Sequence, residues 1–237
     1  MAKYLIIGNS AAAVGAVEGL RQVDREGEIT IISREKYHTY SRPLISYLLQ
    51  GKTDLERMKY RPNCFYSENG ATLVFAEARE IDADSKRVLT DKGDFPYDKL
   101  LIATGSKPFI PPFEGIDEVE HKFTFLSLDD ALQIQQKLTP KSRVLIVGAG
   151  LIGLKCAEAV AGLAGGVTVT DIARQVMASV LDEQCADIVK GVLEKNGIRF
   201  ILGDSVKRFE KGRAQMSEGE AVEFDILVIA AGVRPNV

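Results

Sequence analysis

The chain has 237 residues, a formal net charge of −3, 27% charged residues and 46% hydrophobic residues. This balance is typical of a globular protein and excludes a strongly basic surface for nucleic acid. The sequence has no signal peptide and no apolar stretch long enough to span a membrane, so we expect a cytoplasmic protein without a membrane partner. The three cysteines and two histidines lack the spacing of a disulfide framework or a metal site, and we predict no bound metal.

The first predicted element is a strand that runs into a turn of small residues, "YLIIGNSAAAVG". It matches the dinucleotide fingerprint G-x-G-x-x-G at Gly8, but Ser10 and Ala13 replace the second and third glycines. Ser10 adds a β-carbon where phosphate usually meets bare backbone, although its hydroxyl is able to donate a hydrogen bond to a phosphate oxygen. Glu35 follows at about the 20-residue spacing of a ribose-binding acid. Taken alone, this turn fits either a dinucleotide site or a well-packed strand and helix.

The first half ends at another apolar strand, "KLLIATG", which is followed by the proline-rich segment "SKPFIPPFEGI". Three prolines in so short a span disfavour both a helix and a central strand. We therefore predict that the first domain ends after Gly105. A new helix should begin at Ser127, because Asp130 stands where a capping box needs an acid.

The second half opens with an intact fingerprint, "VLIVGAGLIG", at Gly148, Gly150 and Gly153. These glycines allow the tight turn, the approach of a pyrophosphate and the close packing of helix on strand. Asp171 closes the next strand, where a carboxylate would bind a ribose 2′-hydroxyl and repel a 2′-phosphate. The pattern predicts a preference for NADH over NADPH, which Arg174 nearby would weaken.

The two halves have the same order of elements, and this repeat predicts the fold. Each begins with a strand, a helix and a second strand, the βαβ unit whose parallel strands need a crossover. Each also ends with an apolar strand that runs into Ala-Thr-Gly (103–105) or Ala-Ala-Gly (230–232). The sequence therefore predicts an α/β protein with two Rossmann-like domains, each with a central parallel sheet.

These motifs, together with "HTYSRPLISYLLQG" and "DILVIAAGVRPN", resemble the pyridine nucleotide–disulfide oxidoreductase family. Within it, they are similar to the NADH:rubredoxin reductase and NAD(P)H–nitrite reductase flavoproteins. The resemblance implies a first segment of an FAD-binding domain at 1–112, an NAD(P)H-binding domain at 113–232 and the start of a return segment at 233–237. It also implies FAD and NADH as cofactors, an electron-acceptor protein such as rubredoxin or a reductase partner, and a homodimer for the full-length protein.

The resemblance further implies which residues contact each cofactor. The FAD contacts comprise the first glycine turn, the acid for the ribose and a charged segment beside the flavin. They also include a backbone contact to the adenine and the residues at the end of the first domain. They are Gly8, Ser10, Ala12, Ala13, Glu35, Arg42, Pro43, Ala78, Ala103, Thr104 and Gly105. The NADH contacts are Gly148, Gly150, Leu151, Ile152, Gly153, Asp171 and Gly232. No side chain is assigned as catalytic, since the cofactors carry the chemistry.

The sequence departs from the family pattern at two positions that concern electron transfer. Residues 41–46 read "SRPLIS", without the cysteine that serves disulfide, peroxide or coenzyme-A-disulfide chemistry in some members. Lys155 stands where the family usually has glutamate, which brings efficient hydride transfer into question. Two alternatives therefore stay open, an NADH oxidase that uses oxygen and a nucleotide-binding module without turnover.

Family members also extend well beyond "GVRPN", and we expect this chain to be a piece of a longer, C-terminally extended protein. Among the remaining residues, we expect Cys64 to be exposed, and Cys156 and Cys185 to be small buried side chains. Tyr37, His38 and Tyr40 should form a surface or interdomain loop rather than line a flavin.

Overall fold

Each half of the chain folds around its own parallel β-sheet in a computed structural model that describes residues 1–236. One unit consists of residues 1–41, 55–106 and 235–236, and the other of residues 42–54 and 107–234. Val237, the last residue of the predicted return segment, lies outside the described residues.

The helices and strands are numbered in chain order. Up to residue 108 they are β1 (Lys3–Ile7), α1 (Ala11–Val23), β2 (Glu28–Ser33), α2 (Ile45–Leu49), α3 (Phe65–Glu68), β3 (Ala71–Phe75), β4 (Ala78–Asp82), β5 (Arg87–Thr90), β6 (Gly93–Pro96), β7 (Lys99–Ile102) and β8 (Ser106–Pro108). The others are β9 (Lys122–Thr124), α4 (Leu128–Lys137), β10 (Arg143–Val147), α5 (Leu151–Ala161), β11 (Gly166–Asp171), α6 (Glu183–Lys195), β12 (Ile198–Leu202), β13 (Val206–Glu210), β14 (Arg213–Met216), β15 (Val222–Glu223), β16 (Ile226–Ile229) and β17 (Val233–Pro235). Short 3-10 helices span Arg42–Leu44 and Ile116–Glu118.

The sheet of the first unit is parallel, with the strand order β3-β2-β1-β7. Successive side chains of a strand point to opposite faces. Ile6 accordingly packs against Val14 and Val17 of α1, while Leu5 and Ile7 belong to a separate cluster on the other face. That second cluster includes Val88 of β5, from the antiparallel sheet β4-β5-β6. The strands are apolar in succession because both faces of the sheet are covered.

The second unit repeats this plan, and the prediction of two Rossmann-like α/β halves is confirmed. Its parallel sheet has the order β12-β11-β10-β16-β9, so β12, β11, β10 and β16 correspond to β3, β2, β1 and β7. An antiparallel sheet, β13-β14-β15, takes the place of β4-β5-β6. The order 3-2-1-4 matches the first four positions of the Rossmann order 3-2-1-4-5-6.

The outer strands of the two parallel sheets differ. In the second unit, β9 pairs with β16 and covers its outer edge. In the first unit, β7 is itself the edge, and among the described residues no strand pairs with its outer side. Leu101 is 38% exposed and Ile102 is 58% exposed. The first unit therefore presents an apolar edge strand.

Residues 42–54 group with the second unit, whereas the predicted first domain, 1–112, includes them. Ile45 and Leu49 of α2 are buried, and this helix packs against α4 and α5. Arg42 adds a hydrogen bond from Nη1 to the carbonyl oxygen of Leu126 at 3.2 Å. Apolar burial of a short helix thus decides which unit the segment joins, and a short helix gives little signal in the sequence. The assignment of the ranges to FAD and NAD(P)H stays a prediction.

The capping box predicted at α4 is confirmed and gives a first testable prediction. The Ser127 hydroxyl accepts from the Asp130 N–H at 3.1 Å, and the Asp130 carboxylate accepts from the Ser127 N–H at 2.9 Å. Ser127→Ala should lower the free energy of unfolding by about 1 kcal/mol, because one helix-terminal donor loses its acceptor. Urea denaturation followed by circular dichroism measures this. Ser67→Ala on the exposed side of α3 is the control, and an equal loss there would contradict a capping effect.

Candidate dinucleotide-binding sites

The first glycine turn lies at the carboxyl end of β1, the edge of a parallel sheet where ligands bind. The Gly8 N–H donates to the carbonyl of Ile32 at 2.8 Å, and the Ala103 N–H donates to that of Ile7 at 2.8 Å. Gly8 has φ +114°, and a β-carbon there would lie 2.1 Å from the Ala103 carbonyl oxygen. Only glycine therefore allows β1 and the chain after β7 to approach this closely.

The helices behind the two fingerprint turns begin without a side-chain cap. Ser10 before α1 and Gly150 before α5 make no side-chain capping hydrogen bond, and neither helix has an acid in its first turn. In contrast, Ser127 caps α4 and Asp182 caps α6, each with an acid in the first turn. The free N–H groups and positive ends of α1 and α5 thus remain available to an anion. This arrangement fits a pyrophosphate at both turns.

A partly buried set of hydrogen bonds holds the first turn from behind. The Tyr66 hydroxyl donates to Asn9 Oδ1 at 2.7 Å, and Asn9 Nδ2 donates to the Tyr37 carbonyl at 3.2 Å. The same hydroxyl accepts from the Thr39 N–H at 3.1 Å. We call these four residues the Asn9 network. Burial raises the pKa of Tyr66, so its hydroxyl keeps the proton that it donates.

Glu35, the predicted ribose acid, follows β2 at the same edge of the sheet. Its Oε2 accepts from the Tyr40 hydroxyl at 2.5 Å, and its backbone carbonyl accepts from the Ser33 hydroxyl at 2.8 Å. Tyr37, His38 and Tyr40 are thus half-buried and engaged with one another and with the turn, rather than a plain surface loop. The sequence did not predict these contacts, because they join residues 37–40 to Asn9 and Tyr66, which are distant in the chain.

The other predicted FAD contacts fall into two groups. Ala103, Thr104 and Gly105 follow β7, and Ala78 opens β4 just after β3, so all of them belong to the first unit near the carboxyl ends of its strands. Asn236 fixes this exit, since its Nδ2 donates to the Thr104 carbonyl at 2.8 Å. Arg42 and Pro43, however, lie in the short 3-10 helix that groups with the second unit.

The second turn has the same backbone geometry as the first. The Gly148 N–H donates to the carbonyl of Thr170 at 2.8 Å, and the Ala230 N–H donates to that of Val147 at 2.8 Å. Gly148 has φ +118°, and a β-carbon would lie 2.3 Å from the Ala230 oxygen. Gly150 faces open space, with nothing within 4 Å of an added β-carbon. Leu151, Ile152 and Gly153 form the first turn of α5, and Gly232 follows β16 at the same edge.

Asp171 closes β11 and connects the second turn to the next strand. Its Oδ2 accepts from the Ala149 N–H at 2.6 Å, and its Oδ1 accepts from the Ala173 N–H at 2.8 Å. Both carboxylate oxygens therefore bond to backbone amides, which fixes the carboxylate beside the turn. The predicted NADH contacts, from Gly148 to Asp171 and Gly232, thus lie together at one edge of one sheet.

Lys155 of α5, which stands where the resemblance implies a glutamate, contacts side chains of its own unit. Its Nζ lies 2.5 Å from Glu158 Oε2 and 5.0 Å from the centre of the Tyr47 ring. Gln50 Nε2 donates to the Glu158 carbonyl at 3.1 Å. An ammonium group over an aromatic ring is an attractive arrangement. Lys155 therefore attaches α2 to α5.

This contact gives a second testable prediction. Lys155→Glu should lower the free energy of local opening of α2 by about 1 kcal/mol, because a carboxylate is repelled by Glu158 and by the face of the Tyr47 ring. Hydrogen exchange of the α2 amides should accelerate several-fold. Lys190→Glu is the matched control, since Lys190 pairs with Glu194 on α6. Unchanged exchange in α2, or equal acceleration in the control, would contradict this role.

The cysteines give no sign of a reactive thiol. Cys64 is exposed, and its contact with Glu68 raises the pKa of the thiol. Cys156 is buried, as predicted, and burial raises its pKa well above the usual range. A raised pKa leaves less thiolate at neutral pH and hence a poorer nucleophile. The prediction for Cys185 was wrong, because it is exposed in the first turn of α6, beside the face that buries Ala186 and Leu193.

Within residues 1–236, no cluster of potential metal ligands occurs, and no helix combines the length and apolarity needed to cross a bilayer. Three buried side-chain atoms in this range have no hydrogen-bond partner, namely His38 Nε2, Thr39 Oγ1 and Thr170 Oγ1. Thr39 belongs to the Asn9 network, and Thr170 precedes Asp171. Buried polar atoms are normally paired, so these three atoms are exceptions within this range.

Comparisons with known proteins agree with this geometry. The family model described as pyridine nucleotide-disulphide oxidoreductase matches residues 2–237. The epsilon subunit of an NADH-dependent phenylglyoxylate dehydrogenase from Aromatoleum evansii is 33% identical over 99% of this chain and 57% of its own length. An NADH oxidase from Methanocaldococcus jannaschii is 33% identical over 99% of this chain and 55% of its own. A rubredoxin-NAD(+) reductase from Pseudomonas putida is 31% identical over 98% and 62%, respectively.

Among solved structures, the ferredoxin reductase for the CYP199A2 system from Rhodopseudomonas palustris superposes with a TM-score of 0.90 at 27% identity. The match covers all of this chain and 60% of that one. The chain thus spans roughly three fifths of the relatives named here. The match to the family model extends over nearly the whole chain and includes both glycine turns, and the chain belongs to the pyridine nucleotide-disulphide oxidoreductase family.

Proposed function

We propose that the chain is the nucleotide-binding part of a flavin-dependent oxidoreductase that takes hydride from NADH. FAD would bind the first unit, through Gly8, Ser10, Ala12, Ala13 and Glu35. NADH would bind the second unit, through Gly148, Gly150, Gly153 and Asp171. One observation carries the proposal: two parallel sheets of the same strand order each have an uncapped helix behind a glycine turn and an acid after the next strand. Family membership supports the choice of these two cofactors.

The side chains of the two turns would bind and orient the cofactors. Ser10 offers a hydroxyl donor at the first pyrophosphate, and the first-turn amides of α1 and α5 offer fixed donors at both. Asp171 would accept from a ribose hydroxyl and repel a 2′-phosphate, which favours NADH over NADPH. FAD, when bound, supplies the chemistry of accepting hydride and passing electrons on, while the protein supplies position and exclusion of side reactions.

The absence of a cysteine at 41–46 supports direct transfer from the flavin to an acceptor. The raised pKa values of Cys64 and Cys156 argue further against these two thiols as a relay. The acceptor class we favour is a small redox protein or a partner reductase, because the similar proteins include a rubredoxin-NAD(+) reductase. Oxygen is the alternative acceptor, and it is favoured by similarity to an NADH oxidase.

A reconstitution experiment tests this proposal. The chain is incubated with FAD, freed of unbound cofactor and examined for the visible bands of bound flavin. Anaerobic NADH should then bleach those bands, and NADPH should do so less effectively. Oxidised rubredoxin should restore them faster than oxygen does. Failure to retain FAD would contradict flavin binding by this chain, whereas flavin that NADH does not reduce would favour a binding module without turnover.

A further inference from the structure

The first glycine turn contains few side chains that could fix its position. Residues 11–13 are all alanine, and α1 has no side-chain cap. Asn9 is the exception, because its amide oxygen accepts from Tyr66 and its amide nitrogen donates to the Tyr37 carbonyl. Both ends of one side chain are therefore bonded to segments that lie far from the turn in sequence.

The Tyr66 hydroxyl, at the centre of the Asn9 network, is itself held in place. Its ring packs edge-on against His38 at 4.9 Å and Phe65 at 5.3 Å between centroids. Thr39, whose N–H donates to the hydroxyl, is 1% exposed. In such a partly buried setting, a hydrogen bond is stronger than in water, and loss of one partner leaves the other unpaired. The hydroxyl is thus a fixed point rather than a mobile surface group.

The second turn is held by a different hydrogen bond. Ala149 occupies the position that corresponds to Asn9, and it has no side chain able to form hydrogen bonds. There the Ala149 N–H donates to Asp171 Oδ2 at 2.6 Å, so the turn is tied directly to its acid. In the first turn, the side chain of Asn9 bonds to residues 37 and 66. The comparison indicates that each turn needs an anchor and that the first obtains it from Asn9 and Tyr66.

We propose that Asn9 and Tyr66 are positioning residues of the first dinucleotide site. Tyr66 acts through Asn9 to hold the amides after Gly8 where a pyrophosphate would bind. The segment 37–40, which the network also contacts, carries the Tyr40 hydroxyl that bonds to Glu35. One hydroxyl group thus sets the position of the turn relative to the ribose acid. This inference rests on the proposed binding of FAD.

FAD affinity in a double-mutant cycle tests the inference. Tyr66→Phe keeps the ring and removes only the hydroxyl, and it should weaken FAD binding about tenfold. Asn9→Ala should have a similar effect, and the double variant should be little worse than either single variant, because the residues act through one contact. Tyr60→Phe is the control, since Tyr60 is 41% exposed, and it should bind FAD like the parent. Parental affinity in Tyr66→Phe, or fully additive effects, would overturn the inference.

A second measurement needs no cofactor. Hydrogen exchange of the backbone amides from Gly8 to Ala12, in the chain without FAD, should accelerate several-fold in Tyr66→Phe and Asn9→Ala but not in Tyr60→Phe. The flavin circular dichroism of the loaded variants should also change, which a general loss of stability would not produce. If the parent chain binds no FAD, the proposed function fails, and unchanged exchange in Tyr66→Phe would separately overturn the anchoring role.

Discussion

Gly148→Ala should lower the free energy of unfolding of the second unit by about 3 kcal/mol. Alanine at φ +118° is strained, and its β-carbon would lie 2.3 Å from the Ala230 carbonyl oxygen. The atoms nearest to this β-carbon belong to the backbone of Ala230 and Ala231, next to the central strands of the sheet. They are unable to move away without disturbing the sheet. The chain has no tryptophan, so urea unfolding is followed by circular dichroism and by hydrogen exchange of β10 and β11.

Gly150→Ala is the matched control two residues further along. Gly150 has φ −78°, which any residue adopts, and its added β-carbon meets nothing within 4 Å. We expect its unfolding midpoint to equal that of the parent, while NADH affinity falls because the methyl group enters the space in front of α5. A Gly148→Ala protein with parental stability, or a Gly150→Ala protein that is equally unstable, would show that contacts at the turn do not govern stability.

Asp171→Asn should affect both stability and coenzyme choice. Its two oxygens accept from Ala149 and Ala173, and an amide side chain has only one oxygen to offer. One amide then loses a charged acceptor, at a cost of about 2 kcal/mol. We also expect NADH to bind about tenfold more weakly and the preference over NADPH to shrink, because the carboxylate no longer repels a 2′-phosphate. Coenzyme titration by NADH fluorescence and thermal unfolding without coenzyme measure the two effects separately.

Asp225→Asn makes the same substitution at the opposite end of the same sheet. Asp225 Oδ1 accepts from Arg143 Nη2 at 2.9 Å, and this guanidinium holds the pKa of the carboxyl below its usual range. The variant should lose some stability, yet it should bind NADH and NADPH as the parent does. Equal weakening of NADH binding in both variants would mean that Asp171 acts only through the stability of the sheet.

The glycine turns predicted most of the fold, because the fingerprint describes backbone geometry. A glycine such as Gly148 after an apolar strand predicts a strand, a tight turn and a helix, because only glycine adopts the backbone conformation of that turn without strain. The similar motif at Gly8 predicts the same three elements in the other half. The hand of each βαβ crossover also follows, whereas the order of the strands comes from the structure. Apart from Arg42 and Pro43, the predicted contacts cluster at one edge of each sheet as a consequence of that topology.

What the sequence did not predict depends on contacts between distant residues. Asn9 and Tyr66 bond to each other across the first unit, and neither residue type is unusual at its position. The grouping of residues 42–54 with the second unit depends on burial of Ile45 and Leu49, in a helix too short for a clear periodic pattern. The burial predicted for Cys185 was wrong because α6 buries the face that carries Ala186 and Leu193, and Cys185 lies beside that face.

The open side of β7 has a consequence for work with the purified chain. An edge strand with exposed Leu101 and Ile102 is a template on which another extended segment adds by main-chain hydrogen bonds. Two chains brought together this way would form a pair whose abundance rises with protein concentration. A charged residue at Ile102 should lower the abundance of a pair that forms through this edge, and it should leave a pair that forms through another surface unchanged.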